Sequence, residues 1–101
     1  PEPRVRLALA LALLGRRADA VREGERAVAL RPIARDAYDG PYVRYQLARV
    51  LTLVGERRRA AETLAAVLAV PSMYTRAWLG IDPTFAALRG EPAYDALLAG
   101  R

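Results

Sequence analysis

Apolar residues in the first part of the chain recur with the period of an α-helix. In the stretch LALALALLGRRADA, residues 7–20, a helix turning about 100° per residue places Leu7, Leu11 and Leu14 on one face. The opposite face is also apolar and carries Val5, Leu9 and Leu13. A helix that is apolar on two sides is sandwiched between neighbours or borders an apolar groove. We therefore expect a helix over residues 3–14 with contacts on two sides.

The same stretch has two features of a secretory signal peptide, a basic start and an ending of small residues. However, Arg16 and Arg17 lie between the apolar run and the ADA sequence, where signal peptides avoid charge. The run is also far shorter than the roughly 20 apolar residues of a membrane span. A buried β-strand is disfavoured because alanine is a good helix former and a poor strand former. The helix remains the favoured interpretation.

A second helix is predicted over residues 17–30, after a turn at Gly15. Glycine often occupies the position that follows a helix, where the backbone takes a positive φ angle. The second helix is amphipathic, and Pro32 follows its end. Its apolar stripe consists of Ala20, Val21, Gly24, Ala27 and Val28. A glycine in mid-helix is unfavourable relative to alanine, so we expect another backbone, that of the connector at residues 33–41, to approach Gly24 closely.

The same pattern of helix, glycine turn, helix and proline appears twice in the chain. Gly55 follows Gly15 by 40 positions, and Pro71 follows Pro32 by 39 positions. Apolar residues match at the 40-residue offset: Leu7 with Leu47, Leu11 with Leu51, Leu14 with Val54, Ala8 with Ala48, and Ala20 with Ala60. An internal repeat of this length is typical of helical solenoids, in which each repeat packs against its neighbours.

This internal repeat divides the chain into four parts. The predicted parts are repeat 1 (residues 3–32), a connector (33–41), repeat 2 (42–71) and a tail (72–101). The two helices of repeat 2 are expected over residues 42–54 and 57–69. The connector is rich in turn residues, with an Asp-Gly-Pro sequence before the second pair of helices.

Both copies resemble the tetratricopeptide repeat family. The family motif has leucine and a small residue in its first helix, glycine at the turn, small residues in its second helix, and a final proline. The matching positions are Leu7, Ala8, Gly15, Ala20, Ala27 and Pro32 in the first copy, and Leu47, Ala48, Gly55 and Ala60 in the second. The usual aromatic positions of the first helix differ, being Arg4 and Leu11 in one copy and Arg44 and Leu51 in the other. The resemblance covers residues 3–72 and implies an all-α fold, a fragment of an α-solenoid.

The tail has a different pattern from the two repeats. Asp82-Pro83 and Glu91-Pro92 each place an acidic residue before proline, which is typical of a helix start, and Thr75 is a further candidate cap. This tail resembles the end of helical-repeat regions in multidomain bacterial signalling proteins, including kinases, cyclases and winged-helix regulators. The resemblance implies short helices that cap the last repeat. The apolar residues available for this are Trp78, Ile81, Phe85, Leu88, Tyr94, Leu97 and Leu98.

The resemblance also implies a concave surface lined by the first helix of each repeat. We then expect Leu7, Leu11 and Leu14 to pack inside the repeat. The candidate groove residues are Val5, Leu9, Ala12 and Leu13 in the first copy, and Tyr42, Tyr45, Arg49, Thr52 and Leu53 in the second. Tyrosine rings offer rigid contacts to a peptide, and Arg49 offers a partner for a carboxylate. Alternatively, these residues contact the tail of the protein or a neighbouring repeat.

The composition narrows the classes of function. The chain has 101 residues, 53% of them hydrophobic, and a net charge of +5, and all 16 basic residues are arginine. The sequence contains no histidine and no cysteine, which excludes disulfides, zinc sites with these ligands, and Ser-His or Cys-His nucleophile pairs. It also has no glycine-rich phosphate loop. We therefore expect a protein without enzymatic activity, and with no catalytic residue, metal or cofactor.

These observations favour a non-catalytic protein-interaction or oligomerisation module of a larger bacterial signalling or regulatory protein, with a cytoplasmic location. The expected partner is a protein or peptide, including a second copy of the chain bound through the first helix. This homodimer is expected because Val5, Leu9 and Leu13 would otherwise meet water. A small-molecule substrate and membrane insertion are not expected.

The alternative is a helical domain that binds nucleic acid, which the net charge and the run Arg57-Arg58-Arg59 suggest. Against this alternative, acidic residues are interspersed with the arginines, and no helix carries a sustained basic face. Arg58 and Glu62 are also spaced for an ion pair on one helix. We therefore expect these three arginines to form a solvated helix start.

Overall fold

The structure is a computed structural model that describes residues 3–30 and 39–100. Within these ranges every regular element is a helix, so the chain is all-α over the part described. The elements are α1 (Pro3–Leu13), α2 (Arg17–Leu30), α3 (Asp39–Leu53), α4 (Arg57–Leu68), α5 (Arg76–Ile81), a 3-10 helix (Pro83–Leu88) and α6 (Pro92–Leu98). The helix predicted in the leucine- and alanine-rich stretch is confirmed.

The four long helices lie close to their predicted bounds. The largest difference is at α3, which begins at Asp39, so the end of the predicted connector is helical. Pro41 lies in the first turn of α3, where a missing N–H is harmless and the fixed φ angle of proline fits a helix. The other residues of the predicted connector, together with Pro32, lie outside the described residues.

Both helix pairs are joined by the same turn. Gly15 has a φ angle of +80° and Gly55 one of +87°, as expected for a glycine that follows a helix. In each turn the glycine amide donates to the carbonyl three residues before it, at 3.1 Å in both cases. The next amide donates to the carbonyl five residues before it, at 2.9 Å in the first turn and 2.8 Å in the second. The predicted glycine turns are therefore confirmed, and the two turns share the same hydrogen-bond pattern.

Small residues bring α1, α2 and α3 close together. Ala8, Ala20 and Ala27 are each fully buried between these helices. A Cβ atom at Gly24 of α2 would lie 2.7 Å from Cδ1 of Leu47 in α3, so only glycine leaves room for this leucine. The close neighbour found at Gly24 is thus a side chain of α3, and the connector expected to approach it falls in the part not described.

Helix α1 buries a different face from the predicted one. Val5, Ala8 and Ala12 are buried, whereas Leu7 is 50% exposed and Leu14, in the turn after α1, is 75% exposed. The prediction that Leu7 and Leu14 pack inside the first helix pair is therefore wrong. The physical reason is that α1 meets α2 and α3 through its smaller residues, which allow close approach of the backbones.

The tail begins each of its helices with a side-chain cap. Side-chain oxygens of Thr75, Asp82 and Glu91 accept hydrogen bonds from backbone amides two or three residues later, at 3.2, 2.9 and 3.3 Å. Pro83 and Pro92 occupy the first positions of the 3-10 helix and of α6. The three helix starts predicted for the tail are confirmed.

The tail packs on the second helix pair, with the 3-10 helix against α3 and α6 against α4. Its buried residues join the main core cluster: Tyr74, Leu79, Phe85, Leu88 and Tyr94. Leu97 and Leu98 are half-buried against the same cluster, but Ile81, expected to be part of the cover, is 77% exposed. Trp78, also expected in the cover, is 39% exposed, so the tail covers one side of α3 and α4 and leaves some of its own apolar residues in solvent.

Arginine side chains fasten the tail from both ends. Arg57, at the start of α4, donates to the carbonyls of Ala87 and Arg89 at 3.0 and 2.9 Å. Arg76, at the start of α5, donates to the carbonyl of Leu97 at 3.0 Å. These carbonyls lie at or near the ends of short helices, where they have no partner within the helix.

Candidate functional site

An open cleft of about 470 Å³ lies between α3 and the tail. Its walls are formed by Tyr42, Tyr45, Gln46, Arg49, Tyr74, Trp78, Ile81, Asp82 and Pro83. This volume is within the range of binding sites for small ligands and for short stretches of peptide. The cleft brings three of the predicted groove residues, Tyr42, Tyr45 and Arg49, together with residues of the tail.

Aromatic rings make one wall of the cleft rigid. The rings of Tyr45 and Tyr74 are stacked, with centroids 4.2 Å apart and planes at 14°. Phe85 meets Tyr45 edge-on at 5.4 Å, and Trp78 meets Tyr74 edge-on at 6.1 Å. These are favourable geometries for aromatic pairs, and each ring limits the rotation of the next.

A chain of hydrogen bonds joins the aromatic wall to the start of the 3-10 helix. Nε1 of Trp78 donates to the hydroxyl of Tyr45 at 3.0 Å, and this hydroxyl donates to the carboxylate of Asp82. The same carboxylate accepts from the amide of Thr84 at 2.9 Å. Helix α3 is thereby linked to two elements of the tail.

The hydrogen bonds of this chain also change the acidity of its members. Burial raises the pKa of Tyr45, and the negative charge of Asp82 raises it further. Burial alone would raise the pKa of Asp82, but the hydrogen bonds from Tyr45 and Thr84 outweigh it and hold that pKa below its usual value. Asp82 therefore stays ionised and Tyr45 stays protonated at neutral pH.

Arg49 is the cation of the cleft. Its Nε donates to Oγ1 of Thr84 at 3.3 Å, and one terminal nitrogen donates to Oε1 of Gln46 at 2.9 Å. The second terminal nitrogen makes no hydrogen bond or ion pair with any residue of the described ranges. Because a guanidinium has five N–H groups, Arg49 is both positioned by the protein and able to donate to a ligand.

Several of the predicted groove residues are interior residues. Val5, Ala12 and Thr52 are only 2%, 8% and 7% exposed, so they do not line an open groove. Thr52 donates its hydroxyl to the carbonyl of Ala48 within α3. Tyr45 is also buried, at 3% exposed, and packs against the tail, which is the alternative that the sequence left open.

The remaining groove residues lie at the surface. Tyr42 and Arg49 border the cleft, while Leu9 is half-buried in the contact between α1 and its neighbours. Leu13 and Leu53 are 74% and 42% exposed and take no part in the cleft walls. The predicted groove residues are thus divided between the core, the cleft and open surface.

Other cleft residues were not identified as site residues from the sequence. Tyr74, Trp78, Ile81 and Asp82 come from the tail, where the apolar residues were assigned to packing and Asp82 to a helix cap. The density of aromatic residues just before Asp82-Pro83 is a sequence signal, since tyrosine and tryptophan are enriched at binding surfaces. Nothing in the periodicity indicates that they face α3.

The arginine run at the start of α4 makes contacts within the chain. Arg57 holds the tail, Arg58 lies 3.4 Å from Glu62, and Arg59 lies 2.7 Å from Glu25 of α2. The predicted pair of Arg58 and Glu62 is confirmed. The run begins α4 as predicted, and Arg57 and Arg59 in addition join separate elements.

Two kinds of site are not seen in the described part of the chain. Among residues 3–30 and 39–100, no helix is long and apolar enough to cross a membrane. The same residues contain no group of three acidic side chains placed to hold a metal ion.

Comparison of the chain with known protein families, with curated proteins and with solved structures finds no match.

Proposed function

We propose that this chain is a non-catalytic protein-interaction module that binds an extended peptide segment in the cleft between α3 and the tail. The observation that carries the proposal is a rigid aromatic wall beside Arg49, whose guanidinium has one terminal nitrogen that bonds to no residue of the described ranges. In the same proposal the two helix pairs are tetratricopeptide-like repeats and the tail is their cap. The identical glycine turns and the buried alanines support this part.

The cleft chemistry indicates what kind of segment fits. Ile81 and Trp78 are 77% and 39% exposed, so they offer apolar surface to a side chain of the peptide. Arg49 offers charge-assisted hydrogen bonds to a carboxylate. Asp82 is also ionised in this cleft, and the charge of Arg49 acts on it too, so the peptide carboxylate has to lie on the side of Arg49 away from Asp82. We therefore propose a peptide in which an aromatic or aliphatic residue lies next to an acidic residue or to the C-terminus.

The wider assignment rests on the resemblance of the tail. We propose that the module belongs to a larger bacterial signalling or regulatory protein in the cytoplasm, where it recruits a partner. No specific observation favours the alternative of nucleic-acid binding, because Arg57, Arg58 and Arg59 form hydrogen bonds or ion pairs with other residues of the chain. In this proposal the chain needs no cofactor or metal and acts on no substrate.

The test is a selection of random peptides displayed on phage, using the wild-type chain as bait. Selected peptides are then titrated while the fluorescence of Trp78, the single tryptophan, is recorded. We expect enriched peptides to combine an apolar residue with an acidic one and to change the Trp78 emission. Ile81→Ser and Arg49→Gln should each weaken binding about tenfold, which is a change in binding free energy of about 1.4 kcal/mol.

Met73→Ser is the matched control for Ile81→Ser. Met73 is 64% exposed, like Ile81 an apolar residue in solvent, but it is not part of the cleft wall. Its substitution should leave peptide binding unchanged. Selected peptides that bind the Ile81 and Arg49 variants as tightly as the wild type would contradict the proposal, and so would a selection that yields no peptide.

A further inference from the structure

A row of leucines runs along α1 beside the face that packs on α2 and α3. This row, called here the α1 leucine row, consists of Leu7, Leu11 and Leu14. Leu7 and Leu14 are 50% and 75% exposed, and Leu11 is half-buried. Ala10 is exposed beside the row, so a neighbouring backbone has room to approach between the leucines. An exposed apolar stripe at this spacing is the pattern of a helix that packs on another helix.

The second helix pair shows what covers the equivalent row. Leu47, Leu51 and Val54 lie 40 positions after the α1 leucine row and are 7%, 1% and 5% exposed. They are covered by α2, which packs along α3. The contact face of α2 is made of small residues, with Ala20, Val21 and Gly24 against this row. In this protein a leucine row of this kind is thus covered by a helix whose contact residues are small.

That internal contact also has a charged edge. Glu25 of α2 lies 2.7 Å from Arg59 of α4, so an acidic residue at the edge of the covering helix pairs with an arginine of the covered pair. At this point of its border the covering helix therefore adds one carboxylate to its apolar contact.

The stretch of sequence that carries the α1 leucine row is basic. Residues 3–18 contain four arginines and no acidic residue. Arg4 and Arg16 have carboxylates of α2 nearby, in Glu23 and Asp19. Arg6 is exposed and forms no ion pair with the residues that the structure describes. It lies on the exposed side of α1, one residue before the row, so a partner at this surface meets positive charge that residues 3–30 and 39–100 do not neutralise.

We propose that the α1 leucine row docks an amphipathic helix of another polypeptide, with small apolar residues on its contact face and glutamate or aspartate along its edges. A second copy of α1 is a poor occupant, because either orientation of two such helices places arginine against arginine and provides no carboxylate. This surface lies on the first helix pair and is separate from the cleft, so its test does not depend on peptide binding there.

The test is a display library of amphipathic helices selected with the wild-type chain as bait. Contact positions vary among glycine, alanine, valine and leucine, and edge positions vary among glutamate, glutamine and lysine. We expect enrichment of small contact residues and of glutamate at the edges. Synthetic peptides of the enriched sequences should bind in titration calorimetry, and their affinity should fall as salt is added.

The α1 surface is tested by the double variant Leu7→Glu and Leu14→Glu, with Leu30→Glu as control. Leu30 is a 56% exposed leucine of α2 outside the row, so the control places the same charge on another exposed apolar site. The double variant should bind at least tenfold more weakly than the wild type, and the control should bind normally. Arg6→Glu should shift the preference from glutamate-edged to lysine-edged peptides. Circular dichroism should show unchanged helix content in all variants.

Four outcomes would overturn the proposal. These are a library without enriched helices, enrichment of lysine at the edges, selected helices that bind the double variant normally, and a wild type that forms dimers that the double variant does not form. The last outcome, measured by sedimentation equilibrium, would assign the row to a second copy of the chain. None of these outcomes bears on whether the cleft binds its peptide.

Discussion

Helices α1 and α3 carry matching residues 40 positions apart, yet they bury them differently. Leu7 is 50% exposed whereas Leu47 is 7% exposed, and Leu14 is 75% exposed whereas Val54 is 5% exposed. The difference lies in their neighbours. Helix α3 packs against α1, α2, α4 and the 3-10 helix of the tail, whereas the main contacts of α1 within the described residues are with α2 and α3. The same local pattern therefore yields a core element in one place and an open surface in the other.

The comparison shows that, in a helix with two apolar faces, the sequence of that helix alone does not decide which faces are buried. In both helices the side with the small residue, Ala8 or Ala48, is fully buried. In α3 the opposite sides are covered as well, because Gly24 admits Leu47 and the tail stacks Tyr74 on Tyr45. Side chains that other elements supply later in the chain decide whether a leucine contributes to stability or remains available for a partner.

The largest expected effect comes from truncating Leu47 in α3, and the matching truncation of Leu7 in α1 is its control. Leu47→Ala should lower the free energy of unfolding by about 2–3 kcal/mol, because a large side chain leaves a packed interior. Leu7→Ala should change it by about 0.5 kcal/mol or less, because much of this side chain is already in solvent. Urea unfolding followed by circular dichroism measures both. Equal losses would show that α1 is covered in solution as α3 is.

The sequence predicted those features that depend on local chemistry. The glycine turns at Gly15 and Gly55 and the caps at Thr75, Asp82 and Glu91 need only residues within one helical turn, and all are confirmed. The resemblance to known repeats also predicted small residues at the positions where the helices approach one another. These local signals were sufficient for the helix bounds.

The cleft and the buried face of α1 needed information that local patterns do not contain. Both faces of α1 are apolar, so periodicity had no basis for choosing the side of Ala8 over that of Leu7. The contact of Tyr45 with Asp82 joins residues 37 positions apart, through a tail whose direction is set only by tertiary packing. Of the candidate groove residues, Arg49 and Tyr42 consequently border the cleft with the tail, whereas Val5 is buried.

A second comparison concerns the first residue of the second helix in each pair. Arg57 begins α4 and donates to two tail carbonyls, whereas Arg17 begins α2 in solvent and forms no ion pair with the described residues. Arg57→Gln should lower the free energy of unfolding by about 1–2 kcal/mol, because two carbonyls at the end of the 3-10 helix lose a charged donor. Arg17→Gln should have no measurable effect.

Hydrogen exchange locates the effect of the Arg57 change. If Arg57 fastens the tail, the amides of the 3-10 helix and of α6 should exchange faster in Arg57→Gln, while those of α1 and α2 are unchanged. An increase spread evenly over all helices would mean that Arg57 supports the core of the domain in general. The matched Arg17→Gln variant should exchange like the wild type throughout.

A smaller effect is expected at the contact between α2 and Leu47. Gly24→Ala gains helix propensity but places a Cβ atom 2.7 Å from Cδ1 of Leu47, so this leucine has to move. We expect a net destabilisation of about 0.5–1 kcal/mol, the overpacking being partly offset by propensity.

The sign should reverse when Leu47 is first shortened. In the Leu47→Ala background the space beside Gly24 is free, and Gly24→Ala should then be stabilising. A double-mutant cycle in urea isolates this coupling. Gly80→Ala is the control, since a Cβ atom at Gly80 in α5 meets no atom within 4 Å. Coupling close to zero would show that α2 does not cover the leucine row of α3 as tightly as the structure has it.

The smallest expected effect is a pH dependence confined to the side of α3 that the tail covers. Tyr45 occupies in α3 the position that Val5 has in α1, so only α3 has a hydroxyl that can bind a carboxylate there. Because the folded state lowers the pKa of Asp82, the contact between Tyr45 and Asp82 stabilises the fold fully above the ordinary aspartate pKa of about 3.9. This stabilisation is lost as pH falls through the lower, folded value.

Acid should therefore lower the free energy of unfolding of the wild type more than that of Asp82→Asn, in which the side chain no longer titrates. Trp78, which donates to Tyr45, should report the loss by its fluorescence, and a Tyr45→Phe variant should show a smaller pH dependence than the wild type. Parallel stability curves for the wild type and Asp82→Asn in acid would mean that the tail is held by its apolar contacts alone, leaving the difference between α1 and α3 to hydrophobic burial.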